Sequence, residues 1–307
     1  IWPISAMAAG GMLGNIIFFA VSGFCLAEIK GGFIKWYLKR FLRVYPVMAI
    51  FTLITILTGF YSVTGFNDVV RFFVYPTNYI FLVWLMVLYA IFYFVAWLAK
   101  KEEKVWWITI VAVFVCWITV YMLFVDKTKY VIDDVSSPFI MFLYFSSMLI
   151  GALFKKKKNS FTKIKWYELL LLAVSLILYF GSKIIFSKKA EIASVQIVNQ
   201  FCILFALVMI FIVMIGMEST LSKFNGKIKS IIKFVANITL QIYIVQFIVI
   251  RKFESLVFPL NFVVVTALII LLASLVYFAE VFIRRGITAM VKNKKEEKVE
   301  TSGQSNN

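Results

Sequence analysis

Long runs of apolar residues, joined by short polar connections, dominate the pattern along the chain. A helix needs about 18–20 such residues to cross a hydrocarbon core of ~30 Å. The runs therefore predict nine transmembrane helices. They lie near residues 5–27, 46–66, 77–99, 105–125, 137–154, 166–182, 194–216, 234–250 and 259–283.

Prolines support these boundaries, because proline suits the first helical turn, where its missing N–H costs nothing. Pro3 precedes the first predicted span, and Pro46, Pro76, Pro138 and Pro259 each stand at the start of a later one. The pattern predicts no proline deep inside a helix.

The composition agrees with a membrane protein: 63% of the residues are hydrophobic and only 15% are charged, against about a quarter charged in soluble domains. We therefore expect an all-α integral membrane protein. Residues 1–286 form one multi-helix domain, and residues 287–307 form a polar, charged tail that we expect to be disordered.

Positive charge alternates strictly between successive connections. The connections 28–45, 100–104, 155–165 and 217–233, with the segment from 284, hold 24 of the 32 Lys and Arg residues. Cytoplasmic loops carry this excess, which places these connections and the C-terminus in the cytoplasm and residue 1 on the outer side. Short basic loops facing anionic lipid account for the net charge of +17 without nucleic acid as a partner.

The reactive side chains are few. Cys25, Cys116 and Cys202 all fall in apolar spans, where buried free thiols are expected. The chain contains no histidine, which excludes histidine-built zinc sites and Ser-His triads within it. We predict no metal site.

One stretch, FFAVSGFCLAEIKGGFIKWYLKRFLRVYP (18–46), changes from an apolar helix to a basic, aromatic segment. Gly31 and Gly32 should break the helix. The FIKWYLKRFLR segment can then lie at the membrane surface, with Trp36 and Tyr37 at headgroup level. Its basic side chains Lys39, Arg40 and Arg43 either anchor the chain to lipid or bind the phosphates of a ligand, which arginine can hold bidentately.

Polar residues inside the predicted spans have two interpretations, hydrogen bonding between helices or the lining of a polar cavity. Asn15 and Ser22 share one stripe of the first span. The other candidates are Trp84 and Tyr89 in the third span and Asn237, Tyr243 and Gln246 in the eighth. Glu280, near the inner end of the last span, is expected to pair with Arg284 at i+4.

The motif FFAVSGF (18–24) followed by KRFLRVYP (39–46) resembles a pattern near the start of the acyltransferase-3 family of membrane enzymes. Four later segments resemble family features in the same order. They are FLVWLMVLYAIFYF (81–94), MFLYFSSMLIGALF (141–154), ITLQIYIVQFIVI (238–250) and VYFAEVFIRR (276–285). The resemblance covers residues 8–285.

This resemblance implies about ten membrane helices with both ends cytoplasmic, in a bacterial cell membrane. Family members transfer an acyl group, usually acetyl from acetyl-CoA, to sugars outside the cytoplasm. The implied partners are therefore lipid, acyl-CoA and a carbohydrate acceptor, with acyl-CoA as a donor substrate and no permanently bound cofactor. The family's arginine pair at the CoA site corresponds to Arg40 and Arg43, with Lys39 beside them.

The chain departs from the family where the catalytic base is expected. The family's first helix carries a histidine, whereas this chain has none and its first span resembles the second family helix. We expect a fragment that lacks the first helix and is inactive alone, because losing a general base costs roughly 10²–10⁴-fold in rate. The alternatives are a transporter or flippase, or a non-catalytic scaffold in polysaccharide assembly.

Overall fold

The structure, a computed structural model, describes residues 11–74, 76, 79–161, 163–253, 257 and 259–304, with side chains as far as residue 283. In these ranges all regular structure is helical. The nine long helices are α1 (Gly11–Leu26), α2 (Phe33–Leu57), α3 (Ile80–Lys101), α4 (Lys104–Phe124), α5 (Ile140–Lys156), α6 (Trp166–Lys188), α7 (Ile197–Gly216), α8 (Gly226–Lys252) and α9 (Leu260–Gln304).

Seven of these helices are long and apolar enough to cross a membrane, namely α2, α3, α4, α6, α7, α8 and residues 260–283 of α9. The shorter helices α1 and α5 lie where the first and fifth spans are predicted. Large apolar side chains also point outward, for example Trp107, Val111 and Val115 on α4. A lipid environment explains this exposure, so the predicted all-α integral membrane fold is confirmed.

The prediction was wrong at Pro46. This proline lies inside α2, which runs unbroken from the basic segment into the apolar one. A proline within a helix removes the hydrogen bond to the carbonyl four residues earlier, here that of Leu42. Leu42 is 62% exposed, so another donor can reach its carbonyl in place of the missing N–H. Pro138 and Pro259 do precede helices, and Pro3 lies outside the described residues.

Two further differences concern the ends of elements. Helix α2 ends at Leu57 rather than near residue 66, and a turn follows in which Gly59 has a φ of 74°. Helix α9 continues to Gln304, through the polar segment 287–307 that composition predicts to be disordered. Seven of the 21 residues of that segment are Lys or Glu, and both residues are good helix formers.

The helices group into two compact units. The first comprises the chain up to Tyr37 together with Ile80–Phe224, and so contains α1 and α3–α7. The second comprises Leu38–Tyr79 and the chain from Asn225, and so contains most of α2 together with α8 and α9.

Helix α5 is the centre of the first unit, where it packs against α1, α3, α4 and α7. Its contact with α1 is the closest. A Cβ added at Gly23 would overlap the carbonyl of Met148, and one added at Gly151 would overlap the carbonyl of Ala20. The two backbones thus touch directly, as small residues permit for helices in membranes.

Aromatic rings extend this seam. The ring of Phe19 stacks on that of Tyr144 with centroids 4.3 Å apart, and Phe81 of α3 meets Phe19 edge-on at 5.0 Å. Offset and edge-to-face pairs of this kind add about 0.5–1.5 kcal/mol beyond their buried area. The seam therefore joins α1, α3 and α5.

In the second unit, α8 packs against α9. The buried side chain of Gln241 on α8 donates to Glu280 on α9 (Nε2–Oε2 3.0 Å). The segment between α2 and α3 is held by Tyr45, which donates to the carbonyl of Phe73 (2.8 Å), and by stacking of Tyr61 on Phe72.

One end of the first unit carries the connections α1–α2, α3–α4 and α5–α6, and we call it the lysine-rich end. Its loops are tied by Lys155–Glu28 (3.9 Å), Lys156–Glu103 (3.5 Å) and Lys158–Glu218 (2.6 Å). Exposed pairs of this kind contribute about 0–1 kcal/mol each. These pairs leave an excess of positive charge at this end.

We predict that Gly151→Ala destabilises the protein. The new methyl group would force α1 and α5 apart, and overpacking of this kind costs about 1–3 kcal/mol. The midpoint of thermal unfolding in detergent should fall measurably.

Gly181→Ala is the matched control, because Gly181 is also helical but has open space where a Cβ would project. This variant should keep or raise the midpoint, since alanine favours helix over glycine by about 0.5–1 kcal/mol. Equal midpoints for the two variants would contradict the backbone contact between α1 and α5.

Candidate functional site

The predicted phosphate-binding residues lie on α2, in the part that belongs to the second unit. Lys39 and Arg43 are exposed and one helical turn apart, so they share a face, while Arg40 is half-buried. One continuous helix therefore presents three cations within five residues, ahead of Pro46.

Asn15 does not face an open cavity. Its side chain is 9% exposed, and its Nδ2 donates to the hydroxyl of Tyr144 on α5 (3.1 Å). About two turns further along α1, the Ser22 hydroxyl accepts a hydrogen bond from Tyr89 of α3 (3.3 Å). The predicted stripe is therefore a packing seam with two hydrogen bonds to neighbouring helices.

Trp84 and Tyr89 also have packing roles. The Trp84 Nε1 donates to the carbonyl of Val135 (3.0 Å). Trp36 is 4% exposed and lies against Tyr89 and Tyr93, so it packs inside the first unit. Tyr93 in turn donates to the carbonyl of Gly31 (3.0 Å), which fixes the break between α1 and α2.

The polar residues predicted on α8 are in different environments. Asn237 is exposed, whereas Tyr243 and Gln246 are half-buried. Tyr243 lies near the buried Tyr79, with which it interacts electrostatically. Glu280 is 7% exposed and accepts from Gln241, an interhelical bond that the expected pairing with Arg284 did not anticipate. The side chain of Arg284 lies outside the described residues.

At the end of the first unit opposite the lysine-rich end, the connection 125–139 is folded onto the helices. Gln196 fixes it with four hydrogen bonds. Its Nε2 donates to the carbonyls of Asp126 and Lys129, and its Oε1 accepts from the amides of Val131 and Ile132 (2.8–3.1 Å). All the hydrogen-bonding capacity of this side-chain amide is used, so the connection is rigidly held.

This connection carries a largely buried ion pair. Asp133 Oδ2 lies 2.7 Å from Lys183 Nζ of α6, with 18% and 12% of the two side chains exposed. The same oxygen accepts from the hydroxyl of Tyr130 (2.8 Å), which also lies 3.2 Å from Asn199 Oδ1. We call Asp133, Lys183, Tyr130 and Asn199 the Asp133 cluster.

Within the Asp133 cluster, the hydroxyl of Tyr130 stays protonated. Burial, together with the adjacent Asp133 carboxylate, raises the pKa of the Tyr130 hydroxyl. Tyr130 therefore remains a hydrogen-bond donor to Asp133. The carboxylate also acts electrostatically on Tyr144 and Tyr179.

Sequence reasoning missed this cluster, although two signals were present. Gln196, Asn199 and Gln200 recur at i, i+3 and i+4, which is one face of a helix. Tyr179 and Lys183 are spaced by four residues on the preceding helix. The first pattern lies at the N-terminal end of α7 and the second in the C-terminal half of α6, so both lie at the same end of the unit. The spans predicted there were judged by hydrophobicity alone.

The cysteines are free, but the prediction that they are buried was wrong. Cys25 and Cys116 are exposed, and Cys202 is half-buried. Cys116 points away from the helices that α4 packs on, and Cys25 lines an open cleft of about 390 Å³ at the lysine-rich end. Lys30, Lys155 and Glu28 form the polar part of this cleft, and Phe24 its apolar wall.

Among the described residues, no three His, Cys, Asp or Glu side chains group closely enough to hold a metal ion. The predicted residues thus fall into separate groups. Asn15, Ser22, Trp84 and Tyr89 lie in the seams of the first unit, while Lys39, Arg40, Arg43, Asn237, Tyr243 and Gln246 lie in the second.

A comparison with known families agrees with the resemblance of the motifs. A family model described as an acyltransferase domain, of the acyltransferase-3 type, matches residues 2–281. Neither a curated protein nor a solved structure matches the chain significantly. Since the family model covers most of the 307 residues, this multi-pass membrane protein belongs to the acyltransferase-3 family.

Proposed function

We propose that the protein transfers an acyl group, most simply acetyl, from acyl-CoA on the cytoplasmic side to a hydroxyl of a carbohydrate on the other side of a bacterial membrane. The observation that carries this proposal is the concentration of Lys39, Arg40 and Arg43 on one continuous helix of an acyltransferase-family protein.

The donor site follows from the charge of the donor. CoA carries a diphosphate and a ribose phosphate, and guanidinium groups bind phosphates through paired, charge-assisted hydrogen bonds. Arg43 and Lys39 lie on an exposed face, free to meet such a ligand, and the half-buried Arg40 sits beside them. The aromatic and aliphatic residues that follow on α2 continue into the membrane span.

The reaction needs no redox partner. The acceptor hydroxyl attacks the thioester carbonyl, a C–O bond forms and the C–S bond breaks. The hydroxyl proton leaves to a base and finally resides on the sulfur of CoA. The products are an ester and free CoA.

The 307 residues contain no histidine, so the base that the family resemblance implies is not among them. A positioned general base contributes roughly 10²–10⁴-fold to the rate. We therefore propose that these 307 residues alone are inactive or very slow, while still binding the donor.

Orientation follows from the positive-inside rule. The lysine-rich end faces the cytoplasm, where acyl-CoA is found, and the connection 125–139 faces outward. The half-buried Tyr243 and Gln246 on α8 are proposed to contact the acceptor.

We predict that Arg40→Ala combined with Arg43→Ala weakens acyl-CoA binding by about 100-fold or more. Each charge-assisted hydrogen bond contributes about 1.5–3 kcal/mol, and ~1.4 kcal/mol is a factor of ten in affinity. Equilibrium binding of acetyl-CoA to the purified protein measures the effect, and wild-type affinity should also fall as salt is raised.

Arg251→Ala is the control for charge. Arg251 is exposed at the C-terminal end of α8, where its guanidinium packs over Phe247. Its loss should leave acetyl-CoA affinity unchanged. The donor site would be refuted by a double variant that binds acetyl-CoA as tightly as the wild-type protein.

A second prediction tests orientation. In a background with Ser at positions 25, 116 and 202, the Ser136→Cys variant should react with an impermeant maleimide on intact cells. The Lys157→Cys variant should react only after permeabilisation. Both positions are exposed, so access to the reagent depends on the side of the membrane. The reverse labelling pattern would contradict a cytoplasmic donor site.

A further inference from the structure

Three buried polar atoms around the Asp133 cluster have no hydrogen-bond partner among the described residues. They are Asp133 Oδ1, Gln200 Oε1 and the hydroxyl of Tyr179. Tyr179 and Gln200 are 0% and 1% exposed. Leaving such groups unpaired costs about 1–3 kcal/mol each. A bound molecule that pairs with them would offset this cost.

Each atom is left over after its residue has been fixed by other contacts. Lys183 and Tyr130 both engage Oδ2 of Asp133, which leaves Oδ1 unused. Gln200 Nε2 donates to the carbonyl of Ile132 (2.8 Å), which leaves its oxygen unused. Asn199 binds the backbone carbonyl of Tyr179 (3.0 Å), not its hydroxyl.

The residues that bear these atoms are neighbours. Ile132, held by Gln200, directly precedes Asp133, and Tyr179 lies one helical turn before Lys183, which pairs with Asp133. Four hydrogen bonds from Gln196 hold the connection in place. The group is therefore positioned before any ligand arrives.

The chemistry of these atoms selects the ligand. Two are acceptors that require O–H or N–H donors, and the third is a hydroxyl that can donate or accept. The adjacent carboxylate and ammonium neutralise each other, which disfavours both a free anion and a free cation. Tyrosine rings border the group. A neutral molecule rich in hydroxyl groups fits this combination, as a sugar does.

The side chains next to the group reach the surface, although the three atoms themselves are enclosed. The Asp133 and Lys183 side chains keep 18% and 12% of their areas exposed, and Val131 and Val135 beside them are half-buried. A hydroxyl group that approaches from the end of the unit that bears the connection 125–139 therefore meets this partly exposed pair first, and the pair has to move to admit it.

We infer that Asp133 Oδ1, Gln200 Oε1 and the Tyr179 hydroxyl form a binding site for hydroxyl groups of the carbohydrate acceptor. This inference rests on the proposed function and supplies its acceptor side. The residues hold and orient the sugar. No proton transfer is assigned to them.

Tyr179→Phe tests the site, because the hydroxyl it removes has no partner in the protein. Without a ligand role the substitution should be silent or slightly stabilising. As a part of the acceptor site, it should lower the ester content of surface carbohydrate at least about 10-fold in cells that make the full-length protein, corresponding to loss of one ligand hydrogen bond of about 1.4 kcal/mol. The amount of protein and its unfolding midpoint should stay unchanged.

Tyr121→Phe is the matched control. Tyr121 is a buried tyrosine at the same end of the unit whose hydroxyl donates to the carbonyl of Ser194 (2.6 Å). Its loss should lower the unfolding midpoint but leave ester content per molecule of protein unchanged. Full ester content in the Tyr179→Phe cells would mean that the three atoms hold only water, and would overturn the inference.

A second measurement needs no acyl donor. Saturation transfer from the purified protein in nanodiscs to chitotriose or maltotriose should be seen for wild type and Tyr121→Phe and be lost in Tyr179→Phe. Transfer that is absent from wild type, or equal in the two tyrosine variants, overturns the carbohydrate site even if acetyl-CoA binds normally. Tyr179-dependent sugar binding without any acetyl-CoA binding would instead refute the acyltransferase proposal and leave the sugar site standing.

Discussion

Direct contact between the backbones of α1 and α5 is the constraint on which the first unit depends. Gly23 and Gly151 leave no room for a Cβ atom, and this closeness lets Asn15 reach Tyr144 and Phe19 stack on the same ring. In lipid there is little hydrophobic drive to bring helices together, so close packing and interhelical hydrogen bonds must do so. Helix α5 then supports α3, α4 and α7, and through them the connection that carries Asp133.

A second effect of the lipid environment explains why polar groups collect at the ends of the unit. A backbone carbonyl or amide without a partner is costly in hydrocarbon, and the irregular connection 125–139 contains many. Gln196 satisfies four of them with one side chain. Once the connection is anchored, Asp133 is held against Lys183 and Tyr130. The atoms left unpaired there are thus a result of fixing the loop.

The sequence predicted the number and order of the long helices well, because length and hydrophobicity decide whether a segment spans a membrane. It failed at Pro46, where proline was read as a start although a membrane helix tolerates it inside. It also misjudged Cys25, since burial depends on which helix packs alongside. Asn15 and Ser22 were found as polar residues in a span, but their partners Tyr144 and Tyr89 are distant in sequence. The Asp133 cluster has members on one connection and two helices, so no single segment reveals it.

The charged side chains of the protein differ in exposure from one region to another. Cations at the lysine-rich end and on α2 are largely exposed, where they can meet phosphates and anionic headgroups at small desolvation cost. At the opposite end, the charged pair Asp133–Lys183 is largely buried and mutually neutralised, which a neutral ligand requires and a phosphate would not. The proposed transfer, from a highly charged carrier to an uncharged sugar, needs both environments. The two environments therefore favour the proposed transfer between unlike substrates over transport of a single one, in which similar groups would be expected along the whole path.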